Sequence, residues 1–148
     1  MQPFPHRYEV EADATVTGDV TLESERLPSL TSAAPAEFGG PGDRWSPETL
    51  LVAAVADCFV LTFRAIAAGA QLPWTSLTCE AVGTVERVER VTRFTEVTVR
   101  AALQVPDGTD ETKARRVLEK TEQSCLISNS ISAAVHLEAD VQTVRTAA

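Results

Sequence analysis

The sequence predicts an α+β domain. Three observations carry this: alternating apolar and polar residues near the N-terminus and again between residues 77 and 105, a capped apolar helix between these two regions, and an amphipathic helix near the C-terminus. At 148 residues, with 44% hydrophobic residues, the chain is expected to be one domain over residues 1–148, large enough to bury a core without staples.

From Tyr8 to Leu22 the alternation is partial (Tyr8, Val10 and Ala12, then Val16, Val20 and Leu22), and Thr17-Gly18-Asp19 supplies a turn, so two strands in a hairpin are expected. Residues Ser24 to Trp45 read as a loop, broken by Pro28, Pro35, Gly39, Gly40, Pro41 and Gly42, with room for a short strand over Leu27 to Ser32. A loop of this length in a compact domain is often functional.

Ser46-Pro47-Glu48 is the clearest helix start. It offers a capping hydroxyl, a proline whose missing N–H is harmless at the first position, and a carboxylate at the positive end of the helix dipole. The helix is expected to run through Leu50, Val55, Cys58, Phe59, Phe63 and Ile66 to Gly69. Apolar side chains cover almost its whole circumference, so it must be enclosed by a curved sheet, a second subunit or both.

Leu77 to Val88 and Phe94 to Val105 read as a long antiparallel hairpin, with the charged stretch Glu86 to Arg93 between its arms. Thr109, Asp110 and Glu111 open a second helix with Ala114, Val117, Leu118 and Thr121 on its buried face and Cys125 at its end. A short segment, Leu126 to Ile131, and a last strand, Ala133 to Val144, complete the reading.

Composition narrows the function. A net charge of −8 and a pI near 4.7 argue against a nucleic-acid backbone or an anionic membrane surface as partner. Met1 to Val10 has no run of signal-peptide length, and the apolar run Leu50 to Phe63 falls short of a membrane span and contains Asp57, so a cytoplasmic protein with no membrane partner is expected. Cys58, Cys79 and Cys125 match neither an even disulfide framework nor a paired metal motif, and no metal or bound cofactor is implied.

Each cysteine has a plain packing reading as a small hydrophobe. Thiol peroxide chemistry needs two sulfurs, one to attack the O–O bond and one to condense with the resulting sulfenic acid. Cys58 and Cys125 are the candidate pair, while Cys79 on an alternating strand is more plainly structural.

Two segments resemble the OsmC/Ohr family of thiol-dependent peroxidases. Ser46-Pro47-Glu48-Thr49-Leu50-Leu51-Val52-Ala53-Ala54-Val55-Ala56-Asp57-Cys58-Phe59 is similar to the family's Asn-Pro-Glu motif leading to an Ala-rich helix and Cys-Phe. Glu119-Lys120-Thr121-Glu122-Gln123-Ser124-Cys125-Leu126-Ile127-Ser128 resembles its second cysteine segment.

The resemblance implies curved antiparallel sheets around a long buried central helix, in an intertwined homodimer. It also implies reduction of organic hydroperoxides, with Cys58 as the peroxidatic thiol, Cys125 as the resolving thiol and Glu48 as the carboxylate that holds an activating arginine. Phe59, Leu61 and Leu51 are expected to line the thiol and favour bulky peroxides. An external dithiol, a lipoylated protein or a small thiol, would close the cycle.

The chain departs from the family pattern in one respect: the family's activating arginine comes from the N-terminal strands or the following loop, and the hairpin segment Thr15 to Ser24 contains none. Arg26 and Arg44 are the candidate cations, with Arg7 and His6 behind them. Glu48 and Cys58 are ten residues apart on one helix, about 15 Å along its axis, so one site would draw them from two subunits. The alternative reading is a non-catalytic or redox-sensing OsmC-like protein that binds a small apolar ligand at the dimer interface.

Overall fold

A computed structural model describes residues 1–145. The chain forms two compact units, Met1–Leu51 and a second beginning at Val52.

In the first unit three short strands, β1 (Glu11–Asp13), β2 (Val20–Glu23) and β3 (Leu30–Ser32), form an antiparallel sheet in the order β1-β2-β3. Gly18 turns the chain between β1 and β2 at φ +96°, a conformation that costs glycine little. The expected hairpin is therefore present, though its first strand begins at Glu11 and not at Tyr8. A parallel bridge from Ser32 to Trp45 brings the chain from β3 to the first helix.

Helix α1 spans Pro47–Gly69 and crosses from the first unit into the second. Its start is a reciprocal cap: the Thr49 N–H donates to Ser46 Oγ at 3.1 Å, and the Ser46 N–H donates to Thr49 Oγ1 at 2.9 Å. Within the second unit its stripe Val55, Phe59, Phe63 and Ala67 is fully buried. Most of the remaining surface of the helix is half-buried or exposed in the single chain.

The helix also corrects the sequence reading of the membrane question. Measured from cap to cap it has 23 residues, with a best-window mean hydropathy of 2.0, and is long and apolar enough by those criteria to cross a membrane. The run Leu50 to Phe63 underestimated it because the run stopped at the charged Arg64, and Ala65 to Gly69, with Ile66 among them, carry the helix on. Here its buried stripe packs in the protein core, with Asp57 and Arg64 on the exposed side.

Strands β4 (Ser76–Val88), β5 (Val91–Pro106) and β6 (Ala134–Val144) form the second sheet, in the order β4-β5-β6. Alternation on β5 buries Val97, Val99, Ala101, Leu103 and Val105 on one face. On the other face Arg100 bridges the three strands, 3.3 Å from Glu80 and 3.0 Å from Glu138. At Gly83 an added Cβ would lie 2.7 Å from the Phe94 ring and 2.8 Å from Val52 Cγ2, so only glycine lets α1 and the Phe94 ring lie so close to the strand. Further along, Phe63 meets Trp74 edge to face at 5.2 Å.

Two sequence expectations change here. The charged stretch Glu86 to Arg93 continues both strands, and the turn shrinks to Glu89 and Arg90, both at positive φ. The arms project beyond the core and face water on both sides, which hides the alternation. Strand β6 pairs parallel with β5, so the sheet is mixed and not wholly antiparallel. Helix α2 (Glu111–Ser124) makes the crossover that a parallel return requires. Asp110 caps α2 by accepting from the Lys113 N–H at 3.2 Å, and Ala114, Val117, Leu118 and Thr121 are buried as expected.

Candidate functional site

The second unit brings Cys58 and Cys125 together. Cys58 lies on α1, partly accessible, with the Thr62 hydroxyl one turn further along at 3.7 Å from its sulfur. Cys125 is the C-cap of α2 and is fully buried. The chain then folds into a tight turn. The Asn129 N–H donates to the Cys125 carbonyl at 3.0 Å, the Ser130 N–H to the Ile127 carbonyl at 3.0 Å, and Ser130 Oγ to the Leu126 carbonyl at 2.7 Å. Asn129 Nδ2 ties the turn back to the Gln123 carbonyl at 3.1 Å.

This turn uses the carbonyls of residues 125 to 127 and leaves the Leu126 and Ile127 amides without a backbone acceptor among the described residues. Both amides act on the Cys58 thiol so as to lower its pKa.

The electrostatics follow from that geometry. Burial pushes the Cys58 thiol up, but the Ile127 N–H, the Cys125 thiol, the Thr62 hydroxyl and the Leu126 N–H outweigh it, and the pKa ends below the ordinary cysteine value. Hydrogen bonds to the charged form stabilise it, the same physics that lowers a carboxylate surrounded by amides. Cys125 moves the other way. Burial raises it, donors from Ser128 offset part of that, and the neighbouring Cys58 charge raises it further. The pair is thus asymmetric, with a partly accessible, more acidic thiol beside a buried, less acidic one.

Cys79 lies on the core-facing side of β4, opposite Ala101. Burial and then the Cys125 charge push its pKa up to about 11. It is a packing residue and stays protonated at neutral pH.

The candidate cations are held by their own acidic neighbours. Arg44 lies 3.2 Å from Asp19 and 3.1 Å from Asp43, and its pKa is raised chiefly by its hydrogen bond to Asp19. Arg26 lies 3.6 Å from Glu25 with both side chains in water. Arg7 borders a shallow cleft lined by Glu9, Glu11, Glu23 and Glu25, and His6 Nε2 is 2.9 Å from the Gln2 carbonyl. Glu48 lies in the first turn of α1, where its Oε2 is buried with no hydrogen-bond partner among the described residues.

One further expectation is corrected. Phe59 faces the core at 1% exposure and cannot line the thiol, because it falls on the buried i, i+4 stripe. Leu61 is 53% exposed, about 60° around the helix from Cys58. The donors that sequence reading missed were Thr62 and the two amides. Thr62 had a signal in its i+4 spacing from Cys58. The amides had only an indirect one, the turn-forming run Ser128-Asn129-Ser130.

No group of three or more His, Cys, Asp or Glu side chains that could hold a metal occurs among the described residues. Fold and site together define a two-thiol α+β protein in which one helix carries the accessible sulfur and a second helix's C-terminus brings its partner. The OsmC-like protein family model matches residues 40–140, which include both cysteines, and the chain belongs to that family.

YmaD of Bacillus subtilis, an uncharacterised protein, is 29% identical over 121 residues, 80% of each chain. An OsmC-like protein of unknown function from Vibrio cholerae superposes with a TM-score of 0.82 at 19% identity, over 91% of this chain and 99% of that one. The organic hydroperoxide resistance protein OsmC of Legionella pneumophila does so with 0.74 at 23% identity, over 95% and 99%. A likeness at such identities shows the shared fold.

Proposed function

We propose that this chain is a cytoplasmic, homodimeric thiol peroxidase that reduces organic hydroperoxides to alcohols. The observation that carries the reading is the Cys58 sulfur, held toward its thiolate by four donors, one of which is the Cys125 thiol. Names among its structural neighbours, such as the organic hydroperoxide resistance proteins of Legionella pneumophila and Elizabethkingia anophelis, agree with it.

In this reaction the Cys58 thiolate attacks one oxygen of the peroxide, an S–O bond forms as the O–O bond breaks, and the alkoxide leaves as alcohol on taking a proton. Cys58 becomes a sulfenic acid. The Cys125 sulfur then attacks Cys58, a disulfide forms, and the hydroxyl departs as water with the Cys125 proton. Two electrons have passed from the two thiols to the peroxide. An external dithiol, a lipoylated protein or a small thiol, returns them by exchange.

The donor set addresses the missing arginine. Thr62 and the amides of Leu126 and Ile127 supply, as neutral dipoles, the thiolate stabilisation that a cation would otherwise give. Glu48 keeps its family role only if an arginine reaches its free oxygen in the dimer.

Steady-state turnover tests the proposal: loss of cumene hydroperoxide is followed with a lipoylated protein or dithiothreitol as reductant. Wild type should turn over, Cys58→Ser should be inactive, and Cys125→Ser should complete at most one reduction per chain before stalling. Turnover that survives Cys58→Ser would overturn the assignment.

A second reading is favoured by the engagement of Arg26 and Arg44 with their own acids. In it the protein binds a small apolar ligand at the dimer interface or senses oxidation without turnover. A Cys58 that oxidises once and is not recycled by any dithiol would select it.

A further inference from the structure

Strand β6 has β5 on one side, and no strand pairs with its other edge among the described residues. Backbone groups alternate in direction along a strand. The Val144 carbonyl accepts from the Asp107 N–H, just past the end of β5, at 3.1 Å, so the even-numbered residues of β6 turn toward β5. The odd-numbered residues turn outward. Among the described residues the outward amides and carbonyls of Val135, Leu137 and Val141 have no hydrogen-bond partner, while the Ala139 carbonyl accepts from Arg115 Nη1 at 3.2 Å.

This edge is long and plain. Its 11 residues contain no proline, and their pairing with β5 runs from Ala134 to Val144 without a bulge. Prolines and bulges are two of the devices that ordinarily protect a free edge. A groove runs beside it, floored by Val135, Leu137 and Ala139, all half-buried, and walled by Arg115, Glu119 and Glu122 of α2.

Two features say what fits there. A row of unpaired amides and carbonyls beside an apolar floor matches an extended polypeptide, which supplies both kinds of hydrogen-bonding group at the same spacing. The charges choose its composition. Arg115 is committed to Glu111 at 3.1 Å and to the Ala139 carbonyl, and His136 lies 3.8 Å from Glu96. Glu119, Glu122 and Asp140 have no ion-pair partner among the described residues. The rim therefore carries uncompensated negative charge. A second copy's β6 is a poor occupant, because that strand carries Glu138 and Asp140 and no lysine or arginine.

We infer that the free edge of β6 and the acidic wall of α2 form a docking groove for an extended, basic segment of another protein. The segment adds to the sheet beside β6, with apolar side chains over Val135 and Leu137 and lysine or arginine within reach of the unpaired acids. This inference does not rest on the peroxide chemistry proposed above.

A fluorescently labelled heptapeptide of alternating lysine and valine is the probe, with anisotropy at low salt as the measure. Two controls accompany it: the same peptide N-methylated throughout, which keeps the charge and loses the donors, and a peptide of alternating glutamate and valine. The lysine peptide should bind with a Kd below about a millimolar, and both controls at least about tenfold more weakly. The double variant Glu119→Lys with Glu122→Lys, its fold confirmed by circular dichroism, should weaken the lysine peptide by about tenfold or more. Hydrogen exchange followed residue by residue by NMR adds a readout of alternation in the wild-type protein. The Val135, Leu137 and Val141 amides should exchange fast alone and slowly with the peptide, whereas those of His136 and Glu138, held by β5, should stay protected throughout.

No binding at about a millimolar, or equal binding of the N-methylated peptide, would overturn the strand addition. An affinity unchanged by the charge reversal would overturn the acidic recognition. Odd-numbered amides of β6 that become protected as the protein alone is concentrated would give the edge to a second copy and overturn the proposal.

Discussion

Cys58 and Cys79 are both partly buried thiols in one small unit, yet their acidities part in opposite directions. What separates them is hydrogen bonding. At Cys58 the Leu126 and Ile127 amides and the Thr62 hydroxyl act to lower the pKa, whereas the strand environment of Cys79 offers burial and the Cys125 charge. Removing one donor should therefore be measurable. Thr62→Val should raise the Cys58 pKa, read as ultraviolet thiolate absorbance against pH, and slow its reaction with peroxide at neutral pH, and Thr62→Ser should restore both. A Cys58 pKa unchanged by Thr62→Val would remove the hydroxyl from the account.

Cys79 gives a prediction of opposite sign. Its folded pKa, about 11, lies above that of a free thiol, so the unfolded chain loses this proton first as pH rises. Its contribution to stability is intact below the ordinary thiol pKa and declines from there toward pH 11. Cys79→Ala should flatten that alkaline decline in denaturant titrations. Alkylation of the native protein at neutral pH should modify Cys58 first and Cys79 last. The cysteines themselves were legible in the sequence, but their surroundings were not, because the donors are backbone amides sixty-eight and sixty-nine residues further along the chain.

At the scale of elements, capping chemistry and alternation carried the reading. Ser46-Pro47 fixed the start of α1, and the four buried positions of α2 followed from their spacing. The errors arose where an element lacks a buried face or where pairing is non-local. The projecting arms around Glu89-Arg90 have no hidden side to impose a period. The parallel pairing of β6 is decided by the α2 crossover and not by the strand's own residues.

Gly83 marks the closest approach of α1 to the sheet. Gly83→Ala should push against Val52 and Phe94 and destabilise the protein by about 1–3 kcal/mol in urea titration. A neutral substitution there would mean that the Phe94 ring yields freely.

At the scale of the molecule, the unexplained features of one chain point outward. The Glu48 oxygen lacks a partner, Leu61 stands exposed between Asp57 and Arg64, and a helix apolar enough for a bilayer is buried along a single stripe. Sequence reading reached the need for enclosure through the all-round apolar helix, but which stripe the core takes followed only from the packing of α1 on the second sheet.

The central claim, that Cys58 and Cys125 act as one redox pair, is tested most directly by adding one equivalent of cumene hydroperoxide to the fully reduced protein, counting the remaining thiols and mapping any bridge by mass spectrometry. The account predicts rapid loss of two thiols, a bridge between Cys58 and Cys125, and an unmodified Cys79. Three surviving thiols, or oxidation no faster than in the unfolded chain, would contradict it.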